Sequence, residues 1–256
     1  MKVYAKTRPN KHFTIFHSPN ISHAVNGFRE LGAEIVTYNK IDEIYDKVTK
    51  DDIVLDYIDQ CKTIFHKFGV VPDLPDYPEV LKPFLGRTIF KDTINHINSD
   101  PSTWGVFVKP VKDKVFTGRV INSPKDLVGC GSCYENYEVL CSEVLDIKRE
   151  WRGFVYYDKL IDIRPYTGDY HYNKFFNEEF VDDCIDYFKD WGERPVACSI
   201  DFAVIETKQG THKMIFLELN DAYALGNYGL NHIDYAKMIS ARWSQLLGRK
   251  DEFHFT

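Results

Sequence analysis

Two strand-like segments either side of TKQG constrain this chain more than any other feature. They are VACSIDFAVIE, from Val196, and HKMIFLELN, ending at Asn220. Both are dense in β-branched and aromatic residues, and Gly210 can supply the positive φ of a tight turn, so the pattern predicts an antiparallel hairpin. Strand side chains alternate between faces. Asp201 shares a face with Ala203 and Ile205, while Ile200, Phe202 and Val204 take the other; on the second arm Glu218 and Asn220 share a face. Pairing across the turn brings Asp201 towards Glu218 and Asn220 at the end of the hairpin away from the turn. Two carboxylates and an amide oxygen are a hard, all-oxygen donor set of the kind Mg²⁺ prefers. A solvated strand end is the alternative, and spacing alone leaves both readings open.

A second hairpin precedes this one. EWRGFVYY and KLIDIRPY flank a turn expected at Asp158-Lys159. They carry Glu150 and Arg152 on one face of the first strand, and Arg164 on the second. Arginine suits phosphate or carboxylate through paired hydrogen bonds, although a cross-strand ion pair explains the same residues. Between the hairpins, Phe180, Val181, Cys184, Ile185 and Phe188 form a helical stripe in NEEFVDDCIDYFKDWG. Asp234–Gly248 reads as a last helix. Upstream, WGVFVKPV and KVFTGRVI suggest a further hairpin. Lys109 interrupts its first, apolar strand, where a lysine is costly unless solvated or paired with an anion. Lys114 opens its second strand. The two lysines grip a polyphosphate or blunt a sheet edge. YEVLCSEVL, Tyr137–Leu145, reads as another strand.

The first third alternates strand and helix as a small α/β unit. FTIF is a strand, Ser18-Pro19 starts a helix as N-cap and first-turn proline, and Gly32 stops it. AEIVTY and DIVLDY are strands, and IDQCKTIFHKFG is a helix ending at Gly69. The proline-rich VVPDLPDYPEVLKP reads as a linker. The expected division is residues 1–85, a small α/β domain; 86–141, a small lobe; and 142–256, a large lobe holding the Asp201–Asn220 hairpin.

Size and charge narrow the function classes. The chain has 256 residues and a formal charge of −6, with no long basic run, so a general nucleic-acid or membrane-surface role has little support. No stretch reaches membrane-span length, and the N-terminus lacks the apolar core of a signal peptide, so the cytoplasm is the expected location. Cys130 and Cys133 form one CxxC with no second ligand pair, which reads as ordinary reduced thiols rather than a zinc site. Composition says nothing about oligomeric state.

In order along the chain, LGRTIF, VFVKPVKDKVFTGRVI, SEVLDIKREWRGFV, SIDFAVIE, FLELNDAYALGNYG and the late Arg242-Trp243 resemble the ATP-grasp superfamily, most closely its R2K clade. The resemblance runs from Leu85 to Trp243. It implies an ATP-grasp fold, α/β and α+β, in which two α+β lobes hold ATP behind a small α/β N-terminal domain. It places Lys109 at the α- and β-phosphates and Lys114, with the loop after it, over the phosphates. Val144 and Leu145 of the hinge would hold adenine through their backbone, and Glu143 or Glu150 the amino group or ribose. Asp201, Glu218 and Asn220 match the Mg²⁺ ligands. Arg152 and Arg164 would face the γ-phosphate and an acyl phosphate. The implied reaction is ATP-dependent ligation of a small-molecule or peptide carboxylate to an amine. A non-catalytic ATP-binding module and a kinase are the alternatives. The sequence departs from the superfamily pattern at Ser199, where relatives such as the D-alanine–D-alanine ligases have arginine, and at Ala222 and Ala224, where small polar residues are common. The aromatic loop Thr167–Glu179 is expected to cover the acceptor side, with Lys174 touching phosphate on closure.

Overall fold

The computed structural model describes residues 1–10, 12–111, 115–131 and 135–254. The first unit contains β1 (Lys2–Arg8), β2 (Ile15–Phe16), α1 (Pro19–Glu30), β3 (Glu34–Tyr38), β4 (Ile53–Leu55) and α2 (Ile58–Lys67). β1 is central, parallel to both β3 and β4, and β2 pairs antiparallel with its end. β1 has no counterpart in the sequence expectation. Val3, Tyr4 and Ala5 are all buried, so this strand lacks the half-polar alternation that marks a surface strand. The expected FTIF strand shrinks to Ile15–Phe16. Ser18 does cap α1, accepting from the Ile21 N–H at 3.2 Å, and Gly32 and Gly69 follow their helices at positive φ.

The second unit is an antiparallel sheet in the order β5-β8-β6-β7. It is built from β5 (Ile89–Thr93), α3 (Ile94–Ser99), β6 (Val106–Pro110), β7 (Arg119–Ile121) and β8 (Glu138–Glu143). β6 and β7 pair from Val106↔Ile121 to Val108↔Arg119, so the expected tight hairpin has a longer connection. Lys114, between β6 and β7, and Cys133 of the CxxC, between β7 and β8, lie outside the described residues. Cys61, Cys130, Cys141, Cys184 and Cys198 are buried free thiols.

The third unit supplies β9 (Asp146–Tyr156), β10 (Lys159–Gly168), α4 (Glu178–Lys189), β11 (Ala197–Glu206), β12 (His212–Asp221) and α5 (His232–Leu247). Its sheet runs β10-β9-β11-β12, fully antiparallel. The β9–β10 turn falls at Tyr157-Asp158, one residue earlier than expected. Both residues have positive φ, as a two-residue turn matched to strand twist requires. The Asp158 carboxylate is fixed there by Arg194 at 2.6 and 2.8 Å.

α5 joins the third unit to the first. Phe154, Ala197, Trp243 and Met238 share one core with Val3, Phe28, Ile53 and Phe65. α1 lies so close to α5 that a Cβ on Gly27 would sit 1.9 Å from the His232 carbonyl oxygen and 2.8 Å from the Ala236 Cβ. Propensity alone favours alanine over glycine in a helix interior by about 1 kcal/mol. Overpacking reverses the sign: Gly27→Ala is expected to destabilise by roughly 1–3 kcal/mol in urea unfolding. A stabilised variant would show that the helices do not touch here.

Candidate functional site

One face of the β10-β9-β11-β12 sheet is an unbroken apolar surface. Trp151, Val155, Ile200, Phe202, Val204 and Phe216 pack there against Val181, Cys184, Ile185 and Phe188 of α4. The opposite face is divided. At one end Phe154 and Ala197 enter the core shared with α5. At the other, Ala203, Ile205 and Ile215 form an apolar shelf with Leu145 and Leu217. Between them runs a polar band carried by Arg152, Glu150, Asp201, Glu218 and Asn220.

A β-bulge builds this band. Asp201 pairs with Glu218, but the next residue, Phe202, pairs with Phe216, so Leu217 is extra. Strict alternation would put Phe216 and Glu218 on one face; the extra residue sends Phe216 into the α4 core and Glu218 opposite Asp201. The carbonyls freed around the bulge are taken by Arg87. Its guanidinium donates to Phe216 O at 3.0 Å, Leu217 O at 2.8 Å and Leu85 O at 3.1 Å. The linker adds a backbone bond from Leu219 N–H to Asp76 O at 3.0 Å.

Asp201 is 1 % exposed. Arg152, directly across on β9, holds it through two bonds, Nε to Oδ1 at 2.8 Å and Nη2 to Oδ2 at 2.6 Å. Burial nevertheless pushes the Asp201 carboxyl up to about 6; the Arg152 bonds work against that rise, and the charges of Glu218 and Glu150 add to it. The Arg152 guanidinium lies 4.8 Å from the Tyr228 ring centroid and 5.6 Å from that of Tyr166. Lys109 reaches across from β6. Its ammonium is 2.7 Å from Asp76 Oδ2, 3.1 Å from Glu218 Oε2 and 4.5 Å above the Tyr77 ring. Burial opposes the Lys109 charge, and Glu218, Tyr77 and Asp76 more than offset it, so its pKa is raised. Burial would raise Glu218, but Lys109 and Asn220 hold it below its usual value. Glu150, which accepts from the Tyr166 hydroxyl, is raised, first by burial and further by Glu218.

The carboxylates Asp76, Glu150, Asp201 and Glu218 therefore meet the cations Lys109 and Arg152. That excess of negative charge, on hard oxygens, is what a divalent cation relieves. Among the described residues no three His, Cys, Asp or Glu side chains gather closely enough to hold a metal by themselves. A magnesium ion held here would need further donors from the Asn220 amide, water and phosphate, which is how Mg²⁺ is commonly bound. The Asn220 amide now turns its NH₂ to Asp201 Oδ2 at 3.1 Å and Glu218 Oε1 at 3.4 Å; rotation by half a turn presents the oxygen instead.

The other expected residues fall into place unevenly. Leu145 lies on the apolar shelf, in the connector from β8 to β9. Val144 beside it is exposed, and Glu143, also exposed, accepts a long 3.5 Å bond from Thr88 N–H. Arg164 is cross-strand from Arg152, yet its guanidinium is held by Asp162 of its own strand at 2.6 and 2.8 Å, so it is not brought to the carboxylates. Asp76, Tyr77, Arg87, Tyr166 and Tyr228 were not expected. Asp221 and Arg242 also lock together at 2.7 Å through both guanidinium arms, fixing the end of β12 to α5.

The sequence matches the profile "ATP-grasp domain, R2K clade family 2" over residues 84–238. The chain belongs to this ATP-grasp family. Its fold is the ATP-grasp fold. The D-alanine–D-alanine ligase of Bacillus anthracis superposes with a TM-score of 0.53 at 13 % identity, covering 97 % of this chain and 99 % of that one. The N5-carboxyaminoimidazole synthetase of Staphylococcus aureus gives 0.53 at 12 % identity, covering 97 % and 77 %. The B. anthracis ligase complexed with ATP aligns at 0.50 and 12 % identity, covering 97 % and 98 %. At these identities the likeness establishes a common fold. No functionally curated protein matches the sequence. Among the described residues no helix is long and apolar enough to cross a membrane.

Proposed function

We propose that the protein is an ATP- and Mg²⁺-dependent ligase that activates a carboxylate as its acyl phosphate for attack by an amine. The observation that carries this reading is the polar band itself. Asp201, Glu218 and Asn220 stand on one face of one hairpin, with Lys109 and Arg152 against them and an apolar shelf beside them. The band fits a nucleotide triphosphate by zones. The shelf of Ala203, Ile205 and Ile215, with Leu145 and Leu217, receives the adenine ring, and the hinge backbone at Val144 and Leu145 its edge. Glu143 or Glu150 receives the amino group or ribose. Lys109 turns from Asp76 and Glu218 to the α- and β-phosphates, with Lys114 above. Asp201, Glu218 and Asn220 hold Mg²⁺, which when bound neutralises charge on the transferred phosphoryl oxygens. Arg152 presents its guanidinium to the γ-phosphate; Arg164 is the second candidate, once released by Asp162. We retain residues 1–85, 86–141 and 142–256 as the working domain division, and the cytoplasm as the working location.

Incubation with ATP, Mg²⁺ and a panel of amino acids and peptides tests the reading. Release of ADP and phosphate that depends on an amine, with a new condensed mass, is the expected result. A stable phosphorylated product would make the protein a kinase, and ATP binding without turnover a regulatory module. Lys109→Ala is expected to weaken ATP binding by about tenfold or more in calorimetry, as loss of a charge-assisted contact does. Unchanged affinity would remove Lys109 from the phosphates.

A further inference from the structure

A cavity of about 350 Å³ lies between the carboxyl end of β4, the first turns of α1 and α2, and the 3₁₀ turn Ala222–Ala224. This is where ligands collect in open parallel sheets: outside the strands' carboxyl ends, beside the central strand at which the chain changes direction. Its floor is apolar, formed by Ile21, Leu55, Leu225 and Ile239. Its walls bring in the carboxylates Asp56 and Asp59 and no lysine, arginine or histidine. Asp56 is already satisfied, by Lys6 at 3.1 Å, the Tyr38 hydroxyl at 2.7 Å and the Tyr57 N–H at 2.7 Å. The Asp59 carboxylate is exposed and has no hydrogen-bond or ion-pair partner among the described residues. The two helix N-termini are answered within the chain, α1 by its Ser18 cap and α2 by Asp59 itself, whose full charge exceeds the half charge of a helix end. The cavity is left net negative over an apolar floor.

One loop connects this cavity to the polar band. Beyond Asn220 the chain enters the 3₁₀ turn that walls the cavity, and Asn227 bonds Asn20 of α1 at 2.7 Å. The next residue, Tyr228, covers Arg152. We infer that the cavity receives the amine-bearing substrate, its ammonium against Asp59 and its apolar stem on the floor. This rests on the ligase reading and names where the second substrate waits. A carboxylate ligand would meet repulsion from Asp59 and find no cationic side chain in the lining, Lys6 behind it being already paired with Asp56.

Methyl-labelled protein reports the occupant directly, because the floor consists of isoleucine and leucine. The probes are phenethylamine and 3-phenylpropionate, alike in shape and opposite in charge. Phenethylamine is expected to shift the methyl signals of Ile21, Leu55, Leu225 and Ile239, and 3-phenylpropionate to leave them in place. Asp59→Asn is expected to weaken phenethylamine binding about tenfold, the loss of one charged partner, while calorimetric ATP affinity stays at the parent value. Leu225→Trp, which fills the cavity, abolishes the shifts; should it fail to fold, Asp59→Asn on its exposed side chain still decides. Equal or stronger binding of the acid, shifts elsewhere, or undiminished binding to Asp59→Asn overturns the assignment. The titration contains no ATP, so its failure is separate from failure of the ligase reading. Amine binding without ATP turnover sinks only the latter, and turnover without amine binding in the cavity sinks only the former.

Discussion

Asp201→Ala is expected to cost about 3–5 kcal/mol of folding stability, because it leaves the Arg152 guanidinium buried and unpaired. Arg152→Met combined with Asp201→Leu is expected to recover most of that loss in urea unfolding. Burying two charges costs about as much as their attraction returns, so apolar replacements of similar size do as well or better. The folded state gives the reason. Burial holds the Asp201 carboxyl up at about 6 despite two guanidinium bonds. The sign of its pH dependence follows. An acid whose folded pKa is raised binds its proton more tightly when folded, so this group's stabilisation is present at low pH and fades as pH rises through 6. The double variant loses that component of the pH profile and also loses all ATP turnover. A double variant as unstable as Asp201→Ala would show the pair to be structural cement, and one that still hydrolyses ATP would remove Asp201 from the reaction.

Glu218→Gln is expected to lower turnover by at least about a hundredfold, the scale seen when a preorganised electrostatic contact is removed, with little change in the unfolding midpoint. Its side chain is 35 % exposed, and Lys109 keeps Asp76 at 2.7 Å as a partner, so no buried charge is stranded. The measurement is phosphate release against Mg²⁺ concentration. Near-parent turnover at all concentrations would take Glu218 out of the metal set. The two experiments separate the roles of neighbours on one sheet face: the expected results would assign Asp201 to both fold and site, and Glu218 to the site alone.

Much of this was written locally. Alternation placed Asp201, Glu218 and Asn220 on common faces, and the helix stops at Gly32 and Gly69 and the turn at Gly210 needed only positive φ. What local pattern missed depended on distant partners. Asp76 and Tyr77 sit in a proline-rich linker, and their partner Lys109 lies on another sheet. Nothing within a few residues signals that contact. Arg87 was visible within LGRTIF but had no task until the Leu217 bulge exposed carbonyls for it. Arg164 lies cross-strand from Arg152, but its guanidinium is held by Asp162 of its own strand, a choice between near and distant carboxylates that spacing does not signal. β1 escaped because a strand buried on both faces alternates in nothing.

The Arg87 clamp also sets how this molecule can move. The sheet of β5 to β8 is spliced into the chain at two crossings, one entering just after Arg87 and one leaving at Val144 and Leu145. A rigid swing of that sheet turns about the line through both crossings, like a door on two pins. The first pin is riveted by Arg87 to the bulge that seats Glu218. Such a swing would move Lys109 relative to Glu218, whose strand the Arg87 clamp ties to the entry crossing. Any such swing has to part Lys109 from both Glu218, 3.1 Å away, and Asp76, 2.7 Å away, so these two contacts are the latch.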